Sequence, residues 1–248
     1  MHVADSERKR QCCILTNRYW DCLFGDFKSV MLLILQAPLI GWLCTLVWGS
    51  IGRETPMLFF VLCLSSVWFG CINACREIVK ERAIVERERL FGLSIVAYVQ
   101  SKFKVLASLG LIQVTLLLMA VEWQMALEGP FLLQLLALWL AAMAGVGLGL
   151  LVSAFAGNQE RAVLSVPLLI IPQLLFSEMA IPEDMFGDAM AVIEKLMPVR
   201  WAFEMCQELA ANETTWLTVG LDILVLAAFA VVFSGMACVS LLAGRKEG

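Results

Sequence analysis

Histidine is almost absent from this chain. One occurs in 248 residues, His2, close to the N-terminus. That excludes histidine-based metal centres and Ser-His catalysis. No Gly-x-x-x-x-Gly-Lys-Ser/Thr run occurs, so the chain does not by itself hold a nucleotide in the phosphate-loop manner. There is no stretch polar and long enough for a soluble domain, and no internal repeat. A disulfide framework is missing as well, although there are nine cysteines. Cys44, Cys63, Cys71, Cys75 and Cys238 fall in apolar runs, and Cys12, Cys13 and Cys22 in a basic N-terminal segment. Cys206 lies in a long polar loop, where it either bridges two subunits or stands as a free thiol. The first apolar run starts only near Ser29, is longer than a signal-peptide core and lacks a small-residue cleavage site, which argues against a cleaved leader. No catalytic residue and no metal site is therefore expected.

What is abundant is apolar sequence. The chain is 60% hydrophobic, with a mean hydropathy of +0.83, against about 45–50% apolar residues in soluble domains. Roughly 20 apolar residues cross the hydrocarbon core, and several uncharged runs meet or approach that length. The expected class is all-α and polytopic, with six transmembrane helices. The spans read as Ser29 to about Ile51, Met57 to Cys75, about Tyr98 to Val121, a stretch within Phe131 to Phe155, a short one from Ala162, and Trp216 to about Leu242. The fifth carries Pro167 and Pro172, which predict a kinked or broken helix. Gly145, Gly147 and Gly149 in the fourth allow close helix contact. Ser6 to Lys28 interleaves Ile14, Leu15, Trp20, Leu23, Phe24 and Phe27 with Arg10, Arg18 and Lys28, the pattern of an amphipathic helix in the inner interface; a frayed tail is the plainer alternative.

Positive charge sets the orientation. With the N-terminus inside, 15 of the 18 basic residues fall on the cytoplasmic side, and only Arg53, Lys195 and Arg200 outside. Both termini are then cytoplasmic, and Lys102 and Lys104 snorkel to the inner surface. Glu122, Glu178 and Asp222 lie near outer span ends, where water solvates them.

The segment Arg76 to Arg89, REIVKERAIVERER, breaks the apolar pattern. Its five bases and four acids nearly cancel, so it is a poor lipid anchor. Arg82–Glu86, Glu77–Lys80 and Glu86–Arg89 are spaced to form helix-stabilising pairs, worth about 0.2–0.5 kcal/mol each. Ile78, Val85 and Phe91 form an apolar strip, and Gly92 is a helix stop. A simple chain reversal needs only a few residues. This one reads as a helix that docks another protein.

The stretch NACREIVKERAIVERERLFGLSIVAYVQSK resembles the second span, coupling helix and third-span start of the membrane domain of G-subfamily ABC transporters, in the type 2 permease superfamily. Glu81 and Glu88 match the family's spaced acids, Gly92 its glycine, Tyr98 its aromatic and Lys102 its lysine. Phe176-Ser177 followed by Pro198-x-Arg200-Trp201-x-Phe203 is similar to the family's outer loop with short re-entrant helices, and Gln36-Ala37-Pro38-Leu39-Ile40-Gly41 resembles bacterial members. The resemblance covers nearly the whole chain. It implies a single permease domain over 1–248, with an elbow at 1–28 and the bundle at 29–244, and no ATPase domain in this chain. The implied function is an ATP-driven exporter permease in a homodimer, moving a hydrophobic or lipid-like cargo across a bacterial inner membrane. ATP and Mg²⁺ would sit on a partner ATPase subunit or domain, with no nucleic-acid partner. Arg76, Glu77, Glu81, Arg82 and Glu88 would couple to that ATPase. Ser66, Phe69, Ile170, Ile171 and Leu174 would line the cavity; ordinary helix packing or lipid contact is the plainer account. Glu178, Met179 and Ala180 would form the outer gate. Glu178 departs from the small residue common there, and the single loop cysteine departs from members with several. A polysaccharide-type exporter, or a scaffold or sensor that docks a protein without transport, are the alternative functions.

Overall fold

Long uncharged runs with few helix breakers have one way to satisfy their backbone in lipid, which is to become helices. The computed structural model describes residues 2–49, 55–177, 179, 192–211 and 215–243. Among them there are helices and turns but no strand. The helices are α1 (His2–Gly25), α2 (Phe27–Trp48), α3 (Pro56–Ala74), α4 (Arg82–Leu90), α5 (Ile95–Glu122), α6 (Phe131–Phe155), α7 (Gln159–Leu175), α8 (Pro198–Ala210) and α9 (Trp216–Ala243). The protein is a nearly all-helical, multi-pass membrane chain.

Among the described residues, five helical stretches are long and apolar enough to span a bilayer: Phe27–Trp48, Pro56–Leu90, Ile95–Glu122, Phe131–Phe155 and Trp216–Ala243. The expected fifth span, α7, has 17 residues. At 1.5 Å per residue it covers about 25 Å, somewhat short of a ~30 Å hydrocarbon core. It runs through Pro167 and Pro172 without a break. Span limits follow local signals. Pro56 takes the first turn of α3, where a missing N–H costs nothing. The Asp26, Ser94 and Asn158 side chains accept from Ser29, Ala97 and Arg161 backbone N–H and cap α2, α5 and α7.

The centre of the protein is the α3–α6 crossing. A Cβ on Gly70 would collide with the Ala142 carbonyl; on Gly145, with the Val67 carbonyl; on Gly149, with the Cys71 carbonyl. The two backbones therefore touch, as small residues permit in membranes. Gly147 points the other way, towards Ala230 and Phe233 of α9. Helix α2 packs on α5, and α8 fits among α3, α6 and α9. Helix α1 lays Cys12, Leu15 and Tyr19, one helical stripe, on α5 and leaves Ile14 and Phe24 exposed.

Three expectations change. Cys206 is not in an open loop: it is buried on α8, its Sγ 3.8 Å from the Sγ of Cys63 on α3, and both are free thiols. A bridge between subunits through Cys206 is excluded by that burial. Asp222 is not solvated but enclosed at 1% exposure, because α9 turns this face towards α6 and α8. Lys102 does not snorkel; it is 2% exposed and held by carboxylates.

Candidate functional site

The charged segment is not one helix. A turn follows α3, then a 3-10 turn over Val79–Glu81, and only then α4. The break has a cause in α6. The buried Ser153 hydroxyl accepts from the Ile78 and Val79 N–H groups at 2.9 and 3.0 Å, satisfying two donors that a continuous helix would have turned inward. The far end closes as foreseen. Gly92 sits at φ +95°, its N–H bonds to Arg89 O and the Leu93 N–H to Glu88 O. This pair of bonds is a Schellman cap, which needs a left-handed residue and favours glycine.

Of the three spaced ion pairs, only Glu77–Lys80 forms, at 2.6 Å. The other charges take distant partners. Arg82 donates to the Ala154 carbonyl at 2.6 Å and to Ser153 O at 3.5 Å, capping the C-terminus of α6. Arg89 donates to Leu241 O at 2.8 Å and Leu242 O at 3.4 Å, at the end of α9. Cations there complete orphan carbonyls and suit the negative end of the helix dipole. Glu88 meets Arg18 of α1 at 2.7 Å, and Gln11 brackets the Gly92–Ser94 turn with two bonds. The Glu88 hydrogen bond raises the Arg18 pKa above its ordinary value, against a smaller opposing effect of burial.

Glu81 points inward. Lys102 Nζ lies 2.8 Å from Glu81 and 3.5 Å from Glu77, and the Tyr98 hydroxyl donates to Glu81 at 3.1 Å. The same ammonium sits 3.7 Å from the centre of the Tyr19 ring. A buried ammonium needs this much compensation: two carboxylates and a ring face. Burial first, then the nearby Glu77 carboxylate, push the Tyr19 pKa well above the ordinary phenol value, so Tyr19 remains a donor. Glu77 is within electrostatic reach of that hydroxyl, yet no well-formed hydrogen bond joins them.

Glu77, Glu81, Arg82 and Glu88 are thus brought together by one platform and turned into it; Arg76 is exposed and has no carboxylate partner among the described residues. The outward surface is different. Ile84, Glu86 and Arg87 are exposed, and Leu90 and Phe91 are 85% and 87% exposed at the tip. Phe91 therefore does not join Ile78 and Val85 in a buried strip. Sequence reasoning missed Ser153, Arg18, Gln11 and Leu90; for Leu90 the signal was available, an apolar residue beside the Gly92 stop.

The membrane residues divide. Ser66 and Phe69 are fully enclosed in the protomer, and the Ser66 hydroxyl donates to Leu62 O at 2.8 Å. Ile170 is buried, whereas Ile171 and Leu174 are exposed. With Leu164, Leu168 and Leu175, Ile171 forms an exposed apolar stripe along α7. Met179 is exposed; Glu178 and Ala180 lie outside the described residues. Asn73, which was not singled out, bonds Gln113 at 2.5 Å, and Gln113 donates to Leu33 O at 2.7 Å, close to the turn that Pro38 weakens.

Comparison with known proteins gives two matches. A family model described as "ABC-2 type transporter" matches residues 10–210. An ABC transporter ATP-binding/permease protein of Mycobacterium tuberculosis is 26% identical over 215 residues, which cover 78% of this chain and 24% of that protein. The chain thus spans about a quarter of that relative's length.

Proposed function

Since the chain belongs to the ABC-2 type transporter membrane family, we propose that it is the permease unit of an ATP-driven exporter. ATP binding and hydrolysis belong to an ABC ATPase, carried on a separate subunit or on another part of a longer chain. The relative from M. tuberculosis joins the two activities in its printed name, ATP-binding and permease, which supports the pairing. The permease works as a dimer in the cell membrane, with the charged segment and both termini on the cytoplasmic side.

One observation carries the coupling role. The charged segment is anchored at five places, to α1, α5, α6, α9 and its own Schellman turn, and still presents bare Leu90 and Phe91 outward. Exposed apolar tips on a fixed base suit a socket on a partner protein, where aromatic anchors carry most of the binding energy. In this reading Leu90, Phe91, Ile84 and Arg87 contact the ATPase. Glu77, Glu81, Arg82 and Glu88 act behind them, passing displacement to α5, α6 and α1. The exposed α7 stripe lines the space between two copies and favours a hydrophobic, lipid-like cargo.

The test is the double variant Leu90→Ser/Phe91→Ser, expressed with the ATPase unit. Membrane insertion and yield should match the wild type, while recovery of the ATPase with the permease falls at least about tenfold, the loss of one interface anchor. Full recovery of the ATPase together with unchanged transport-linked hydrolysis would remove this tip from the interface.

A further inference from the structure

Between α1, α2, α3 and α5 lies a half-open cavity of about 180 Å³. It is unconnected with the coupling tip or with the α7 stripe, apart from Gln159 at its rim. Its depth is set by its walls. The start of α2, at Asp26 and Ser29, and the end of α3, at Asn73 and Arg76, place it at the cytoplasmic membrane boundary. Val30, Leu33, Leu106 and Leu109 continue it towards the hydrocarbon.

The lining carries an unusual set of unused groups. Among the described residues the Arg76 guanidinium has no carboxylate partner. The Asp26 carboxylate is exposed and makes only a long 3.4 Å capping bond to the Ser29 N–H. Two buried atoms of the lining residues are also unsatisfied: Asn73 Oδ1, an acceptor on a side chain whose residue is 5% exposed, and the Tyr19 hydroxyl, on a residue 3% exposed. Lys80 and Glu77 neutralise one another at the edge. A buried polar atom without a partner costs about 1–3 kcal/mol, so each orphan asks for a ligand group of the opposite kind.

We propose that this cavity binds the headgroup of an inner-leaflet phospholipid bearing both a phosphate and a primary ammonium, the phosphatidylethanolamine class. Arg76 and the Tyr19 O–H face the phosphate as donors. Asp26 and Asn73 Oδ1 accept from the ammonium N–H groups. The acyl chains follow Val30 and Leu33 along α2 into the bilayer. A choline headgroup has no N–H to offer Asn73, and a glycerol headgroup lacks the positive charge that Asp26 requires. The apolar continuation of the cavity favours a lipid over a free headgroup compound. The cavity lies under the angle between α1 and α2, beside the contact of α1 with α5.

Native mass spectrometry tests this on the full chain purified in mild detergent. The protein is titrated with an equimolar mixture of phosphatidylethanolamine, phosphatidylcholine and phosphatidylglycerol with matched acyl chains. The ethanolamine lipid should be retained roughly tenfold over the other two, the worth of one charge-assisted hydrogen bond. The variants Arg76→Gln and Asp26→Asn should fold normally, because both positions are exposed and Asn still caps α2. Asp26→Asn should bring the three lipids to parity, whereas Arg76→Gln should weaken retention of all three and keep the ethanolamine preference, because all three carry the phosphate. Parity in the wild type, an undiminished preference in Asp26→Asn, or undiminished retention of all three lipids in Arg76→Gln overturns the proposal. An excess of soluble O-phosphoethanolamine should leave the bound lipid in place; displacement would make the free compound the ligand and overturn the lipid assignment.

Discussion

A single lysine shows how far this protein departs from the usual treatment of charge near a membrane. Lys102 is 2% exposed, with Glu77 and Glu81 as its counter-charges and the Tyr19 ring against its ammonium. Removing one partner of a buried charge cluster strands the others. Lys102→Met should therefore lower stability by about 3 kcal/mol, within the range for broken buried pairs. The measurement is the thermal unfolding midpoint of the detergent-solubilised protein. Lys102→Met/Glu77→Gln removes one stranded charge and should recover part of the loss. A Lys102→Met midpoint equal to wild type would mean that the ammonium is not integral to the platform. Sequence reading placed this lysine at the surface, since position near a span end was the only cue it had. The partners that hold it inside lie 21 and 25 residues earlier in the chain and are met only after α3 and α5 have packed.

Among the elements, span limits were the most legible feature. Met57 to Cys75 was expected and Pro56–Ala74 found; the fourth span was expected within Phe131 to Phe155, and the helix fills that whole stretch. Length and apolarity alone fix such segments, because lipid leaves no other solution. The Gly92 stop was legible too, since its left-handed backbone is a local requirement. The charged segment was legible as a special element but not in detail. Arg82–Glu86 and Glu86–Arg89 have correct helical spacing, yet Arg82 and Arg89 are taken by carbonyls at the ends of α6 and α9. Surface pairs worth a few tenths of a kcal/mol lose to charge-assisted bonds at orphan helix ends. The thiol contact of Cys63 with Cys206, 143 residues apart, left no trace in the sequence pattern. The α3–α6 crossing gives the prediction at this scale. Gly145→Ala puts a methyl group into the Val67 backbone and should destabilise the bundle by several kcal/mol, as overpacking does, roughly 1–3 or more. Gly235→Ala on α9 has open space around it and should be neutral or slightly stabilising. Thermal midpoints of the two variants, compared side by side, decide; equal values would contradict the close approach.

At the level of the whole molecule, burial is uneven. The spans α3, α5 and α6 supply the interior, whereas α2 and α9 give most of their surface to the surroundings. The apolar exterior fits lipid on several sides, and in the proposed dimer a second copy would pack along α7. The proposed orientation has a direct check in the native cysteines. Cys13 and Cys22 are exposed on α1, while Cys63 and Cys206 are buried. A membrane-impermeant maleimide should label α1 in inside-out vesicles and leave it unlabelled in intact right-side-out cells. Cys63 and Cys206 should stay unmodified from either side. Labelling of Cys13 or Cys22 from the outside would reverse the topology.

The touching backbones of α3 and α6 also set what kind of machine the protein can be. Carbonyls seated against glycines leave no lubricating layer of side chains, so the two helices cannot glide along one another. The charged segment hangs from α3 and is bolted to the foot of α6 by Ser153 and Arg82. A push on its tip is therefore delivered to both helices at once. In the proposed coupling the pair would move as one stiff rocker, and bending would fall at its borders with the neighbouring helices.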